Sequence, residues 1–166
     1  MPAQGWIRWQ DGPMNIEPKM IRKDGFVAVG MRITTAPLSA EIPQLWARFA
    51  PRLGEVPSIA EPYVNYGIMQ STGPAPGRLD YMAAVSVAGP VQAPEGMVAW
   101  PVEGGRYAVF ETTLSGIGNT FAHIYGAWLA GSGFEPADAP CFERYDESFD
   151  PQDPGSRIEI YIPLKD

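Results

Sequence analysis

Apolar and polar positions along the chain fall into short blocks that switch between the two-residue period of strands and the helical period. From Ile16 to Ile33 they mix in strand-like fashion around a turn at Lys23-Asp24-Gly25, and Phe26-Val27-Ala28-Val29-Gly30-Met31 is apolar throughout, as suits a buried strand. Ile42, Leu45, Trp46, Phe49 and Leu53 then stand at offsets 0, 3, 4, 7 and 11, one face of a helix. Ser39 is its N-cap, Pro43 is tolerated in its first turn, and Pro51 and Gly54 mark its end. Two strands follow, Tyr63–Ser71 and Leu79–Val87, separated by the turn-rich Thr72-Gly73-Pro74-Ala75-Pro76-Gly77.

The second half repeats the order. Met97–Val102 and Tyr107–Thr113 read as strands around a Glu103-Gly104-Gly105 hairpin turn, with no helix start after the glycines to make a phosphate loop. Ile117, Phe121, Ile124, Tyr125 and Trp128 form a second helical stripe that stops near Gly131 or Gly133. Cys141–Ser148 and Arg157–Leu164 are the last strands, joined by the loop Asp150–Gly155. Aromatic landmarks recur at nearly one spacing: Phe26 to Tyr107 is 81 positions, Trp46 to Trp128 is 82, Tyr66 to Tyr145 is 79 and Tyr81 to Tyr161 is 80. Four pairs in order, on matching elements, point to a duplicated unit. The expected fold is α+β: two strand–helix–strand–strand repeats, about 14–92 and 93–166, in a pseudo-twofold arrangement with a ligand cleft between them. Residues 1–13 read as an arm that Trp6 and Trp9 could anchor.

Composition narrows the function. Hydrophobic residues make up 45% of the 166, enough for a sizeable core, so the chain is not disordered. A net charge of -7 argues against a sequence-independent grip on nucleic-acid phosphates, which needs clustered Lys and Arg, and leaves organic cations and basic proteins open. The single cysteine, Cys141, cannot form an intramolecular disulfide, which favours a reducing, cytoplasmic setting. No apolar run approaches a membrane span, and MPAQGWIRWQDGP lacks the features of a signal peptide. With one His and one Cys, no metal site is indicated and nothing calls for a cofactor.

Strand alternation selects the candidate site residues. In the last strand Ile158, Ile160 and Ile162 share one face, expected under the helices, and Glu159 and Tyr161 share the other, open face. Glu143 and Tyr145 point to one side of their strand, opposite Phe142 and Arg144. Tyr66 and Tyr81 are the repeat-equivalents of Tyr145 and Tyr161, so a cleft lined by several tyrosines and a carboxylate is expected, with Trp100 as a further wall. Such a carboxylate attracts cationic or electron-poor planar ligands, and the aromatic walls raise its pKa. That suits charge sensing or general acid–base work. Glu143 also admits plainer readings, as an exposed strand carboxylate or one paired with Arg144 or Arg157. Trp46 and Trp128 read as core, and Glu159 is a reserve for the cleft.

These elements resemble the gyrase-inhibitor-like small-molecule-binding superfamily, which includes the effector-binding domains of AraC-type and MerR-type multidrug regulators. The resemblance runs over residues 14–166 and rests on Phe26–Gly30, Gly96-Met97 with Tyr107-Ala108-Val109-Phe110, the helix carrying Ile124-Tyr125 and Trp128-Leu129, Pro140-Cys141-Phe142-Glu143-Arg144-Tyr145 and Ile158-Glu159-Ile160-Tyr161-Ile162-Pro163. It implies a duplicated fold with a cleft at the dyad, where a glutamate ringed by aromatics holds a lipophilic cation; Glu143 matches that glutamate. It also implies two alternatives. One is a hydrolase of cyclopropane-bearing or other electrophiles, with Glu143 activating water and Tyr161 positioning the ligand. The other is a protein that acts on DNA gyrase or on a regulator. Only about 13 residues precede the domain, so a preceding helix-turn-helix, and with it direct DNA binding, is not expected.

Overall fold

The computed structural model describes residues 17–72 and 77–166. The expected N-terminal arm, with Trp6 and Trp9, and most of the turn at 72–77 lie outside the described residues. Within them the chain is an α+β fold in which an antiparallel sheet carries its helices on one face. The elements run β1 (Lys19–Lys23), β2 (Phe26–Thr35), α1 (Glu41–Phe49), a 3-10 turn (Ala50–Glu55), β3 (Asn65–Ser71) and β4 (Leu79–Val87). Then come β5 (Val98–Val102), β6 (Gly105–Thr113), a helix built of α2 (Ile117–His123), a π segment (Ile124–Trp128) and α3 (Leu129–Ser132), and finally β7 (Cys141–Tyr145) and β8 (Arg157–Leu164).

Local chemistry accounts for the helix ends. Ser39 Oγ accepts the Glu41 N–H at 3.0 Å, and at Pro51 the α-helix gives way to the 3-10 turn. The second helix ends at Gly133, whose φ of 81° is the left-handed C-terminal conformation that glycine adopts without a Cβ penalty. Tyr63, expected to open a strand, has φ of 70° and is exposed, and β3 starts two residues later.

The sheet order is β1-β6-β8-β7-β3-β4-β2-β5. This corrects the hairpin expected at Glu103-Gly104-Gly105: β5 pairs with β2, β6 pairs with β1 and β8, and β5 and β6 are not partners. The Asp24-Gly25 link likewise joins strands that do not pair. The two links pass each other at close quarters: a Cβ on Gly104 would stand 2.6 Å from the Gly25 nitrogen, and one on Gly25 would stand 2.9 Å from the Gly104 nitrogen. Only residues without side chains fit at this crossing.

Directly paired residues share a face, so the register assigns the layers. Met69 pairs with Cys141 and Gly67 with Glu143 on the helix side, where Leu45 and Phe49 of α1 pack with Ala83 and Val85, and Ile124 of the second helix packs with Phe110, Ile160 and Ile162. The isoleucines of β8 are thus on the helix side, as the alternation predicts. The opposite face closes on itself: Trp100 of β5 and Ile21 of β1, from the two outermost strands, reach one cluster around Phe142. Among the described residues no helix is long and apolar enough to cross a membrane.

Candidate functional site

On the helix side, at the middle of the sheet, Glu143 projects from β7. Only 6% of the residue is exposed. Tyr145 donates its hydroxyl to Glu143 Oε1 at 2.6 Å, and Tyr81 of β4 donates to the same oxygen at 3.0 Å. Trp46 Nε1 of α1 donates in turn to the Tyr81 hydroxyl at 3.0 Å, and the Trp46 ring meets the Tyr145 ring edge-on, with centroids 5.6 Å apart. Both tyrosines converge on Oε1, and among the described residues no hydrogen bond reaches Oε2. Burial pushes the Glu143 carboxyl up, against the opposing pull of the Tyr145 and Tyr81 hydroxyls. Burial, followed by the neighbouring carboxylate, also pushes both tyrosines well above their ordinary range, so they act as neutral donors.

The close approach depends on Gly67. It pairs across the ladder with Glu143, and a Cβ there would lie 2.2 Å from the Tyr81 hydroxyl and 2.6 Å from Glu143 Oε1. A glycine inside a strand marks such an approach, a sequence signal that would have found this residue.

Glu143 and Tyr81 form part of the wall of a 460 Å³ pocket that opens between the helices. Leu38 and Ile42 line it from the α1 side, Phe121 and Tyr125 from the second helix, and Asp138 from the segment before β7. Phe121 and Tyr125 stack with ring planes 2° apart. Tyr125 belongs to the π segment, a local widening that helical spacing does not reveal and that recurs at functional sites. Cys141 also lines the pocket; burial pushes its thiol up to about 12, so it is not a ready nucleophile. Among the described residues no group of three or more His, Cys, Asp and Glu is placed to hold a metal ion.

The expected site residues divide between the two faces. Glu143, Tyr145 and Tyr81 come together; Tyr66, Tyr161 and Trp100 lie on the opposite face, each at most 8% exposed. Tyr161 stacks on Phe142 at 4.7 Å and donates to Glu159 at 3.3 Å, so it does not share a site with Glu143. Trp100 lies beneath the Arg32 guanidinium, 4.0 Å from its ring centre. Trp46, read as core, contributes a donor to the Glu143 cluster.

The opposite face has its own carboxylates, Glu61 and Glu159, bridged by Arg144 at 3.4 and 3.5 Å. Tyr66 and Ser86 donate to Glu61 at 2.6 and 2.8 Å. Burial pushes the Glu61 carboxyl up, but those hydroxyls with Lys23 and Arg144 bring it below its ordinary value. The contrast isolates Glu143. It pairs with neither Arg144 nor Arg157, which pairs with Glu111, and among the described residues no cation bridges it. A buried carboxylate with one free oxygen, apolar walls and no counter-ion is chemically set to receive a cation or a hydrogen-bond donor.

Residues 16–165 match the sequence profile of the GyrI-like small molecule binding domain family. The transcriptional regulator BrlR of Pseudomonas aeruginosa is 36% identical over 153 residues, which are 90% of this chain and 56% of the regulator, so the chain spans about half of that relative. Among solved structures, SAV2435 bound to tetraphenylphosphonium superposes with a TM-score of 0.70 at 18% identity, covering 90% of this chain and 94% of that one. A Staphylococcus aureus protein superposes with a TM-score of 0.68 at 18% identity, covering 92% of this chain and 100% of that one. Sequence match and fold agree: the chain belongs to the family of GyrI-like small molecule binding domains.

Proposed function

We propose that the pocket binds lipophilic or aromatic cations reversibly, for sensing or sequestration of toxic compounds, and that Glu143 is the counter-charge. The observation that carries this reading is the Glu143 carboxylate: buried, held through Oε1 by two tyrosine hydroxyls, unbridged by any cation among the described residues and part of an apolar pocket wall. The tyrosines position the carboxylate and leave its second oxygen for the ligand. Tyr81, Phe121 and Tyr125 supply ring faces and edges for the ligand's apolar body. The tetraphenylphosphonium held by the SAV2435 relative is a ligand of this class.

The same proposal places the pocket at an approximate twofold between duplicated halves. The sheet order supports it: with β1 to β4 matched to β5 to β8, the order reads the same from either edge, and β3 and β7 meet at its centre. The pocket draws walls from both halves, with Ile42 and Tyr81 on one side and Phe121 and Glu143 on the other.

Titration calorimetry with tetraphenylphosphonium tests the reading. The protein binds it reversibly, and Glu143→Gln weakens binding by about tenfold or more, equivalent to ~1.4 kcal/mol. Equal affinities would remove Glu143 from the site. A hydrolytic reading draws on the same free oxygen, which a water could occupy, with Tyr81 in place of Tyr161 as the neighbouring hydroxyl group. Turnover of a cyclopropane-bearing electrophile, followed by mass spectrometry and no faster than with Glu143→Gln, excludes it.

A further inference from the structure

The pocket contains a second carboxylate, which a single-cation reading leaves unused. Asp138 lines it from the segment ahead of β7, is exposed, and makes no ion pair or side-chain hydrogen bond among the described residues. The lining includes no Lys, Arg or His, so the pocket carries two formal negative charges and no positive one. The two differ in setting: Glu143 is buried among ring and apolar groups, and Asp138 is open to water. They stand five positions apart in the chain, so their Cα atoms are at most about 17 Å apart at roughly 3.3 Å per extended residue. The wall also carries Leu38, Ile42, Leu79, Phe121 and Ile162, which would solvate the uncharged middle of an elongated ligand and neither of its charged ends.

We infer that Asp138 is a specificity-determining residue and that the preferred ligand is an elongated organic dication. One cationic centre meets Glu143, the apolar body lies against the aliphatic and aromatic walls, and the second centre meets Asp138. This inference rests on the cation-binding reading above and adds the second charge. A contact with an exposed carboxylate is modest and salt-sensitive, whereas the buried contact resists screening. Asp138 therefore tunes selection between ligands, and Glu143 supplies the larger share of the hold on a cation.

Calorimetry with α,ω-bis(trimethylammonio)alkanes of increasing chain length, each against the alkyltrimethylammonium of the same length, separates the two contributions. At low salt one length of dication binds about three- to fivefold more tightly than its monocation, the range an exposed ion pair supplies. Asp138→Asn removes that advantage, because it lowers dication affinity more than monocation affinity. Near 1 M salt, where the screening length falls to about 3 Å, the wild-type advantage also vanishes. Dications no tighter than monocations at any length, or an Asp138→Asn loss equal for both series, overturns the role of Asp138 while leaving the pocket a cation site. Absence of binding by both series overturns the cation reading and this inference together.

Discussion

Replacing Gly67 with alanine tests whether the Glu143 cluster is as tightly fitted as its geometry states. In most strand interiors this change gains roughly 0.5–1 kcal/mol, because glycine loses more backbone freedom on folding. Here the new Cβ would lie 2.2 Å from the Tyr81 hydroxyl and 2.6 Å from Glu143 Oε1, inside contact distance of both. Relief requires moving those groups, which weakens the Tyr81 hydrogen bond to a carboxylate, worth about 1.5–3 kcal/mol. Overpacking adds about 1–3 kcal/mol of strain. The balance is a loss of about 2–4 kcal/mol, opposite in sign to the backbone effect. Urea denaturation measures it, and Tyr81→Phe supplies the control, because removing the hydroxyl removes the shorter contact. Gly67→Ala should therefore cost less in the Tyr81→Phe background, with a coupling of about 1 kcal/mol or more. A Gly67→Ala protein as stable as the wild type, or a cost unchanged by Tyr81→Phe, would refute the fit.

Three further outcomes follow from the division of the sheet faces. Because burial raises the folded-state pKa of Glu143, its ionisation penalty is absent below the unfolded value near 4.3 and grows as pH rises through the folded value. The stability difference between Glu143→Gln and the wild type should thus shift in favour of the variant as pH rises, and parallel urea midpoints from pH 4 to 8 would count against this. Tyr161→Phe should leave tetraphenylphosphonium affinity within about twofold of wild type, while Tyr81→Phe changes it by more than that, because of these two tyrosines Tyr81 alone bonds Glu143. Arg144→Met should cost only about 1 kcal/mol, since its carboxylate partners lie 3.4 and 3.5 Å away with side chains one-third exposed. Its ligand affinity should be unchanged, and calorimetry checks this.

The strands and helices were legible because their periods are local. The Ile158-Ile160-Ile162 face and the shared side of Glu143 and Tyr145 follow from alternation alone. Sheet order is not local: two-residue links such as Glu103-Gly104 ordinarily make hairpins, and only the pairing of β5 with β2 and β6 with β1 shows that this one crosses. The π segment that carries Tyr125 into the pocket wall leaves no periodic trace. The aromatic spacing ties Tyr66 to Tyr145, and a spacing wrong by an odd number of residues reverses the face of every side chain; alternation puts Tyr161 on the open face, which is not the face of Glu143. The ladder puts Tyr66 opposite Arg144, on the far face from Tyr145.

The size of that slip follows from the proposed twofold, and it explains why the centre of the β3–β7 ladder carries one carboxylate. The β3–β7 ladder pairs Asn65–Met69 with Tyr145–Cys141, so an axis at its centre passes between Gly67 and Glu143 and makes them equivalent, 76 positions apart. The aromatic spacing of Tyr66 and Tyr145, 79, differs by three, an odd number. Residues beside a twofold axis compete for one volume, since each side chain points at the space its counterpart would fill. The 2.6 Å between a Gly67 Cβ and Glu143 Oε1 measures that competition. Two glutamates there would also place like charges together in a buried site, where one would have to remain protonated. A glutamate on one half and a glycine on the other resolve both conflicts. The bare position on β3 gives Tyr81 the room to reach the carboxylate, and the proposed twofold of the backbone thereby carries an asymmetric site.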